Sequence, residues 1–152
     1  MYLSREPDSH LVPYLVSRTA GALNRAWHER LRVHGVTIAR WQVLTILAEY
    51  DGARLGQLAE MSGSEQSTTT RVIDQMERDG LVERRSAPDD KRVVEVWLTR
   101  AGRAMFRRLL PDAQDLVDTA LAGLDDATAR VLMDALATIT TNLAEREVTA
   151  PC

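Results

Sequence analysis

The chain of 152 residues contains a single cysteine, Cys152, at its last position. No intrachain disulfide can form, and a lone thiol at the last position reads as an inert one. No apolar run approaches the roughly 20 residues that a membrane helix requires. The opening residues, Met1 to His10, are polar and lack the apolar segment of a secretory leader, so the expected compartment is the cytoplasm. No glycine-rich phosphate loop, nucleophile elbow or metal-hydrolase motif is present, which argues against an enzyme. The histidines His10, His28 and His34 make no convincing ligand set, although His28 and His34 fall on one helix. No cofactor is expected. There is no internal repeat and no low-complexity segment.

A net charge of −3 does not advertise a polyanion-binding protein. Its distribution says more: residues 1–53 sum to +1, residues 54–108 to +2 and residues 109–152 to −6. The acidic excess is confined to the C-terminal third, so any basic surface has to be assembled by folding in the middle of the chain.

Hydrophobic periodicity predicts a mostly helical chain. Leu11, Leu15, Val16, Leu23, Ala26, Trp27 and Leu31 recur at helical spacing and predict a helix from Leu11 to about His34, stopped by Gly35. Thr37 is a good N-cap for a second helix, Ile38 to about Tyr50, and Asp51-Gly52 is a turn. A short helix from Leu55 to Met61, a tight Ser62-Gly63-Ser64 connection with Ser64 as the N-cap, and a helix from Glu65 to about Arg78 follow. Val82 to Ser86 and Val93 to Leu98 read as two strands around the turn Ala87 to Lys91. Thr99 caps a helix from Arg100 to about Gly123, with a possible bend at Pro111, and Asp125 or Asp126 starts a last helix. Its apolar stripe comprises Val131, Leu132, Ala135, Leu136, Ile139 and Leu143. The expected fold is therefore mainly α with a small β-hairpin.

Residues 54–102 concentrate the functional signal. A short apolar helix, a tight turn and a second helix with an uncharged, hydroxyl-rich face have the form that a DNA major groove accepts, and the charged hairpin beside them can reach a neighbouring groove. The second helix would offer Ser64, Gln66, Ser67, Thr68, Thr70 and Arg71. Glutamine pairs with adenine, arginine with guanine, and threonine methyls touch thymine, while hydroxyls also hold phosphates or simply cap the helix. Arg92 in the hairpin is the strongest single residue, suited to a narrow A·T minor groove. Asp90 is expected to orient that arginine or tie the hairpin down, and Lys91, Arg84 and Arg85 to add phosphate contacts.

Several segments together resemble the MarR family of bacterial transcriptional regulators across roughly residues 11–145. They are Gln57-Leu58-Ala59, the run from Ser67 to Arg85, Asp90-Lys91-Arg92, and Leu98-Thr99-Arg100-Ala101-Gly102. The aspartate-x-arginine hairpin followed closely by Leu-Thr-x-x-Gly is the most specific part. The resemblance implies a winged helix-turn-helix in each subunit of a homodimer, and repression of a gene relieved by a small ligand. Residues 37–99 would form the DNA-binding region, residues 11–36 and 100–146 a helical dimerisation region, and residues 1–10 and 147–152 flexible ends. The partners implied are double-stranded DNA carrying a pseudo-palindromic operator, a second copy of the chain, and a small aromatic effector; no membrane partner is expected. In resembling proteins the ligand cavity lies between the dimerisation helices and the DNA-binding lobe. Tyr14, Arg18, His28 and Trp41 lie on the matching helices, with Arg25 and Arg40 near them, and a ring plus a guanidinium suits an aromatic carboxylate or phenol. Trp27 and Trp41 read first as core residues, and Arg18 also as half of an ion pair across a dimer. Two alternatives stay open: a ligand-independent architectural DNA-binding protein and a metal-responsive winged-helix regulator.

Overall fold

The computed structural model describes residues 11–88 and 90–148. Its elements are α1 (Leu11–Arg32), α2 (Ile38–Glu49), β1 (Ala53–Arg54), α3 (Leu55–Ser62), α4 (Gln66–Arg78), β2 (Val82–Ser86), β3 (Val94–Leu98), α5 (Arg100–Ala120) and α6 (Asp126–Val148). The ends read as flexible lie outside the described residues, as do His10 and Cys152, except that Glu147 and Val148 close α6.

Local chemistry accounts for most boundaries. Gly35 takes a left-handed φ of 68° and stops α1. The Thr37 hydroxyl accepts the Arg40 N–H at 3.3 Å and caps α2. Gly63, at φ 63°, ends α3, and the Ser64 N–H returns to the Ala59 carbonyl at 3.0 Å. Ser64 thus closes α3 through its backbone, and the N-cap of α4 is Glu65, with no side-chain cap bond, and not Ser64 as expected. The Thr99 hydroxyl accepts the Gly102 N–H at 3.0 Å at the start of α5. Pro111 sits inside α5 without ending it, and the helix stops at Ala120, three residues earlier than expected.

The hairpin has a third strand that the sequence pattern did not show. The order is β1-β3-β2, all antiparallel, with Ala53 opposite Val96, Val82 opposite Leu98 and Ser86 opposite Val94. A two-residue strand carries no readable period. It is fixed by contacts distant in sequence: the Asp51 carboxylate accepts the Leu98 N–H at 2.9 Å, and the Gly52 N–H donates to Val96 at 3.1 Å.

The chain packs as two units that divide after Leu116. In the first, Trp27 and Leu31 of α1 join Val43, Leu44 and Leu47 of α2, Leu58, Ile73 and Met76, the sheet residues Val82, Val96 and Leu98, and Leu109 of α5 in one buried core. The helix-turn-helix and the sheet are thus mounted on a common apolar base. Only the C-terminal part of α1 takes part; Leu11, Leu15, Val16 and Leu23 are exposed. The second unit comprises the end of α5 and α6. The Asp125 carboxylate accepts the Thr128 N–H at 2.8 Å at the start of α6, and this bond holds its pKa below the usual carboxylate value. Val131, Leu132, Met133, Leu136 and Leu143 of α6 are exposed.

Candidate nucleic-acid interface

The second helix of the helix-turn-helix presents a sharply divided surface. Thr69, Ile73 and Met76 are buried, whereas Gln66, Ser67, Thr68 and Arg71 are exposed and Thr70 is half-buried. The period of 3.6 thus sorts three consecutive threonines by role. Thr69 packs inward, with its hydroxyl donating to the Glu65 carbonyl at 3.3 Å. The Thr70 hydroxyl is also turned back, donating to the Gln66 carbonyl at 2.8 Å, which leaves its methyl and oxygen lone pairs for a ligand. Ser64 is less accessible: with Gln42 and Thr68 it lines a crevice between α2 and α4.

Cross-strand parity decides which arginines of the hairpin are available. Arg84 shares the inward face of β2 with Val82. Its guanidinium pairs with Asp74 at 2.6 Å and with Glu77, and its N–H donates to Glu77 at 3.2 Å. Burial works against its charge, but the hydrogen bonds it donates to Asp74 and Glu77 outweigh that effect and raise its pKa above the ordinary guanidinium value. Arg84, expected to reach phosphate, is instead held by α4 and ties the hairpin to it. Arg84→Gln is therefore expected to lower stability by about 1–2 kcal/mol, a fall in Tm of roughly 3–6 °C. Thermal unfolding followed by circular dichroism checks this; an unchanged Tm with weakened DNA binding would return Arg84 to the phosphates.

Asp90 also works on its own chain. Its carboxylate accepts the Arg92 N–H at 2.9 Å, and its carbonyl accepts that of Val93 at 2.9 Å. Of the two roles the sequence allowed, the structure gives it the second, tying the hairpin down through the backbone. Lys91 and Arg92 stand exposed at the tip, and neither makes a side-chain ion pair among the described residues. Asp89, beside them, lies outside the described residues. Arg40, by contrast, is committed to Asp79 at 2.7 Å, which joins the start of α2 to the end of α4. Arg71 and Arg78 on α4 and Lys91 and Arg92 at the wing are exposed cations with no ion-pair partner among the described residues.

The residues expected around an effector do not all converge. Trp41 packs edge-on to Trp27, with centroids 5.1 Å apart, and stacks on Phe106 at 5.5 Å. It belongs to the core wall. Tyr14 and Arg18 are exposed on the N-terminal half of α1. His28 lines an open depression of about 520 Å³ with Asn24, Arg25, Glu29 and Ile38. Sequence reasoning missed Phe106, which lies 65 positions from Trp41 and carries no local signal of that stacking.

An exposed reader helix, a short helix before it, and a three-stranded wing braced by Arg84 define a winged helix-turn-helix DNA-binding protein. A model of the MarR family matches residues 36–94, the span from the start of α2 to the wing. The chain is 27% identical over 130 residues to the HTH-type transcriptional repressor IacR of Pseudomonas putida, covering 86% of this chain and 78% of that protein. It is 30% identical over 112 residues to the transcriptional regulator HosA of Escherichia coli O111:H-, covering 66% of this chain and 82% of HosA. It is 33% identical over 75 residues to the homoprotocatechuate degradative operon repressor of Escherichia coli, covering 49% of this chain and 51% of that protein. Among solved structures, a MarR-family regulator from Silicibacter pomeroyi superimposes with a TM-score of 0.78 at 29% identity, covering 90% of this chain and 96% of that one. A MarR protein of Escherichia coli complexed with operator DNA shares the fold, with a TM-score of 0.76 at 24% identity over 88% of this chain and 98% of that one. The chain belongs to the MarR family of transcriptional regulators. It is a DNA-binding regulator and not an enzyme. No described helix is long and apolar enough to cross a membrane.

Proposed function

We propose that the protein is a cytoplasmic homodimeric repressor that binds a pseudo-palindromic operator and is released by a small aromatic ligand. The observation that carries the DNA half is the division of cations: Arg84 and Arg40 are committed to carboxylates, while Arg71 and Arg92 are exposed on the reader helix and the wing. Two α4 helices would enter successive major grooves about one helical turn apart, with Gln66, Ser67, Thr68, Thr70 and Arg71 toward base edges and phosphates. Ser64 would contribute from the helix start, and Lys91 and Arg92 would enter the flanking minor grooves.

Dimerisation through residues 11–36 and 100–146 is supported by apolar side chains left exposed on α1 and α6, Leu11, Leu15, Val131 and Leu136 among them. A two-fold dimer also matches the symmetry of a palindrome. The effector half rests on the depression beside His28 and Arg25, where a cationic side chain lies near apolar Ile38. It rests also on likeness to a repressor named for a homoprotocatechuate degradative operon. A ligand there acts only through unequal affinity for the DNA-competent and DNA-incompetent spacings of the two readers.

A fluorescence-anisotropy titration against the DNA upstream of the protein's own gene, with random DNA as competitor and a panel of aromatic acids and phenols, tests the whole reading. Tight, sequence-dependent binding released by one compound is expected. Sequence-dependent binding that no compound disturbs would remove the effector, and binding equal to that of random DNA would replace the repressor with an architectural protein.

A further inference from the structure

The face of the wing sheet turned away from Arg84 carries a second basic site. Cross-strand register sets Glu83 opposite Trp97 and Arg85 opposite Glu95, so these four side chains share one face. The Arg85 guanidinium lies 5.0 Å from the Trp97 ring centroid and pairs with Glu83. Where β3 ends, α5 begins, and Arg100, Arg103 and Arg107 recur at intervals of three and four along one helical stripe. Arg85, Arg100, Arg103 and Arg107 surround an open depression of about 520 Å³ with Glu83 and Thr99. Four guanidinium groups thus meet one carboxylate in its wall. Arg103 is further neutralised by Asp51 at 2.5 Å, whereas Arg100 and Arg107 make no ion pair among the described residues.

We propose that this depression binds a phosphate group, with Arg100 and Arg107 as the principal forks and Arg85 as a third donor. Planar guanidinium groups match the tetrahedral oxygens of phosphate in pairs, and their weak hydration makes the exchange favourable. The start of α5 adds the partial positive charge of a helix N-terminus to a site already built from side chains. The site is separate from the reader surface. It lies on the face opposite Arg84 and α4, and at the Leu98-Thr99 end of the hairpin, away from the tip that carries Arg92. The phosphate has two possible sources, a free phosphate-bearing anion or the backbone of DNA flanking the operator.

Isothermal titration of the full chain with pyrophosphate, at constant ionic strength held with chloride, tests the site without DNA. Saturable binding is expected in the native protein. In the double variant Arg100→Gln/Arg107→Gln, binding weaker by at least about tenfold is expected, since the variant lacks two charge-assisted donors. Both positions are exposed, and circular dichroism of the variant confirms its fold. A second arm measures the salt dependence of operator binding. A slope reduced by roughly 0.9 for each phosphate no longer neutralised supports the proposal with DNA as the source of the phosphate. An unchanged slope beside weakened pyrophosphate binding supports it with a free anion. An unchanged slope in the variant, together with pyrophosphate binding that is equal in both proteins or absent from the native protein, overturns it.

Discussion

Gly102→Ala is expected to destabilise the protein by about 3 kcal/mol or more, lowering Tm by roughly 10 °C, although alanine is the better helix former. A Cβ at this position would lie 2.0 Å from the Leu81 carbonyl oxygen and 3.1 Å from both the Leu81 carbonyl carbon and Leu98 Cδ2. The carbonyl cannot step aside cheaply. It accepts the Thr99 N–H at 3.1 Å and the Thr99 hydroxyl at 3.1 Å, while the Leu81 N–H is bonded to Met76 at 2.8 Å. The end of α4, the start of β2 and the start of α5 therefore meet in one seam, and relieving the clash means separating α5 from the sheet. The helical preference for alanine over glycine, about 1 kcal/mol, is too small to offset an overlap with backbone. Thermal unfolding by circular dichroism measures the effect. A Tm equal to or above that of the native protein would show that the seam yields, and that Gly102 is present for another reason.

The same seam separates what the sequence discloses from what it withholds. Leu98-Thr99-Arg100-Ala101-Gly102 is recognisable as a motif, yet the reason for its glycine, a carbonyl 21 positions upstream, exists only in the folded chain. Helix α4 was legible because one of its faces is apolar at helical spacing, α2 because Thr37 caps it and Asp51-Gly52 ends it, and the stops at Gly35 and Gly63 because glycine is at ease at positive φ. Strand β1 was not legible, since two residues cannot display alternation. Arg84 is the instructive case. A basic residue beside a wing reads as a phosphate ligand, but Val82, Arg84 and Ser86 share strand parity, and Val82 is buried. The parity that turns Arg84 toward Asp74 and Glu77 was present in the sequence; the two acids waiting on α4 were not evident without the packing of α4 against the sheet. Trp41 and Phe106 tell the same story for the effector region. Residues far apart in sequence stack into a core wall, and tryptophan at helical spacing does not say whether its ring faces a ligand or another ring.

Arg92→Ala is expected to weaken operator binding by at least about tenfold, equivalent to ~1.4 kcal/mol, while leaving Tm within about 2 °C of the native value. The two expectations separate because the side chain and the backbone of Arg92 do different work. Its N–H is held by the Asp90 carboxylate at 2.9 Å and its neighbour Val93 by the Asp90 carbonyl at 2.9 Å, so the turn keeps its form when the guanidinium is removed. The guanidinium itself is exposed at the hairpin tip with no ion-pair partner among the described residues, so no buried carboxylate is orphaned by its removal. Arg84→Gln should do the reverse, since its two acidic partners stay behind. If the wing enters a minor groove, the weakening at Arg92 should be larger on operators flanked by A·T tracts, where the groove is narrow and its potential most negative, and should shrink on G·C flanks. Anisotropy titrations on the two operator sets, at one salt concentration, decide the point. A folded Arg92→Ala protein that binds both sets as the native protein does would take the wing out of the interface and leave the reading of DNA to α4 alone.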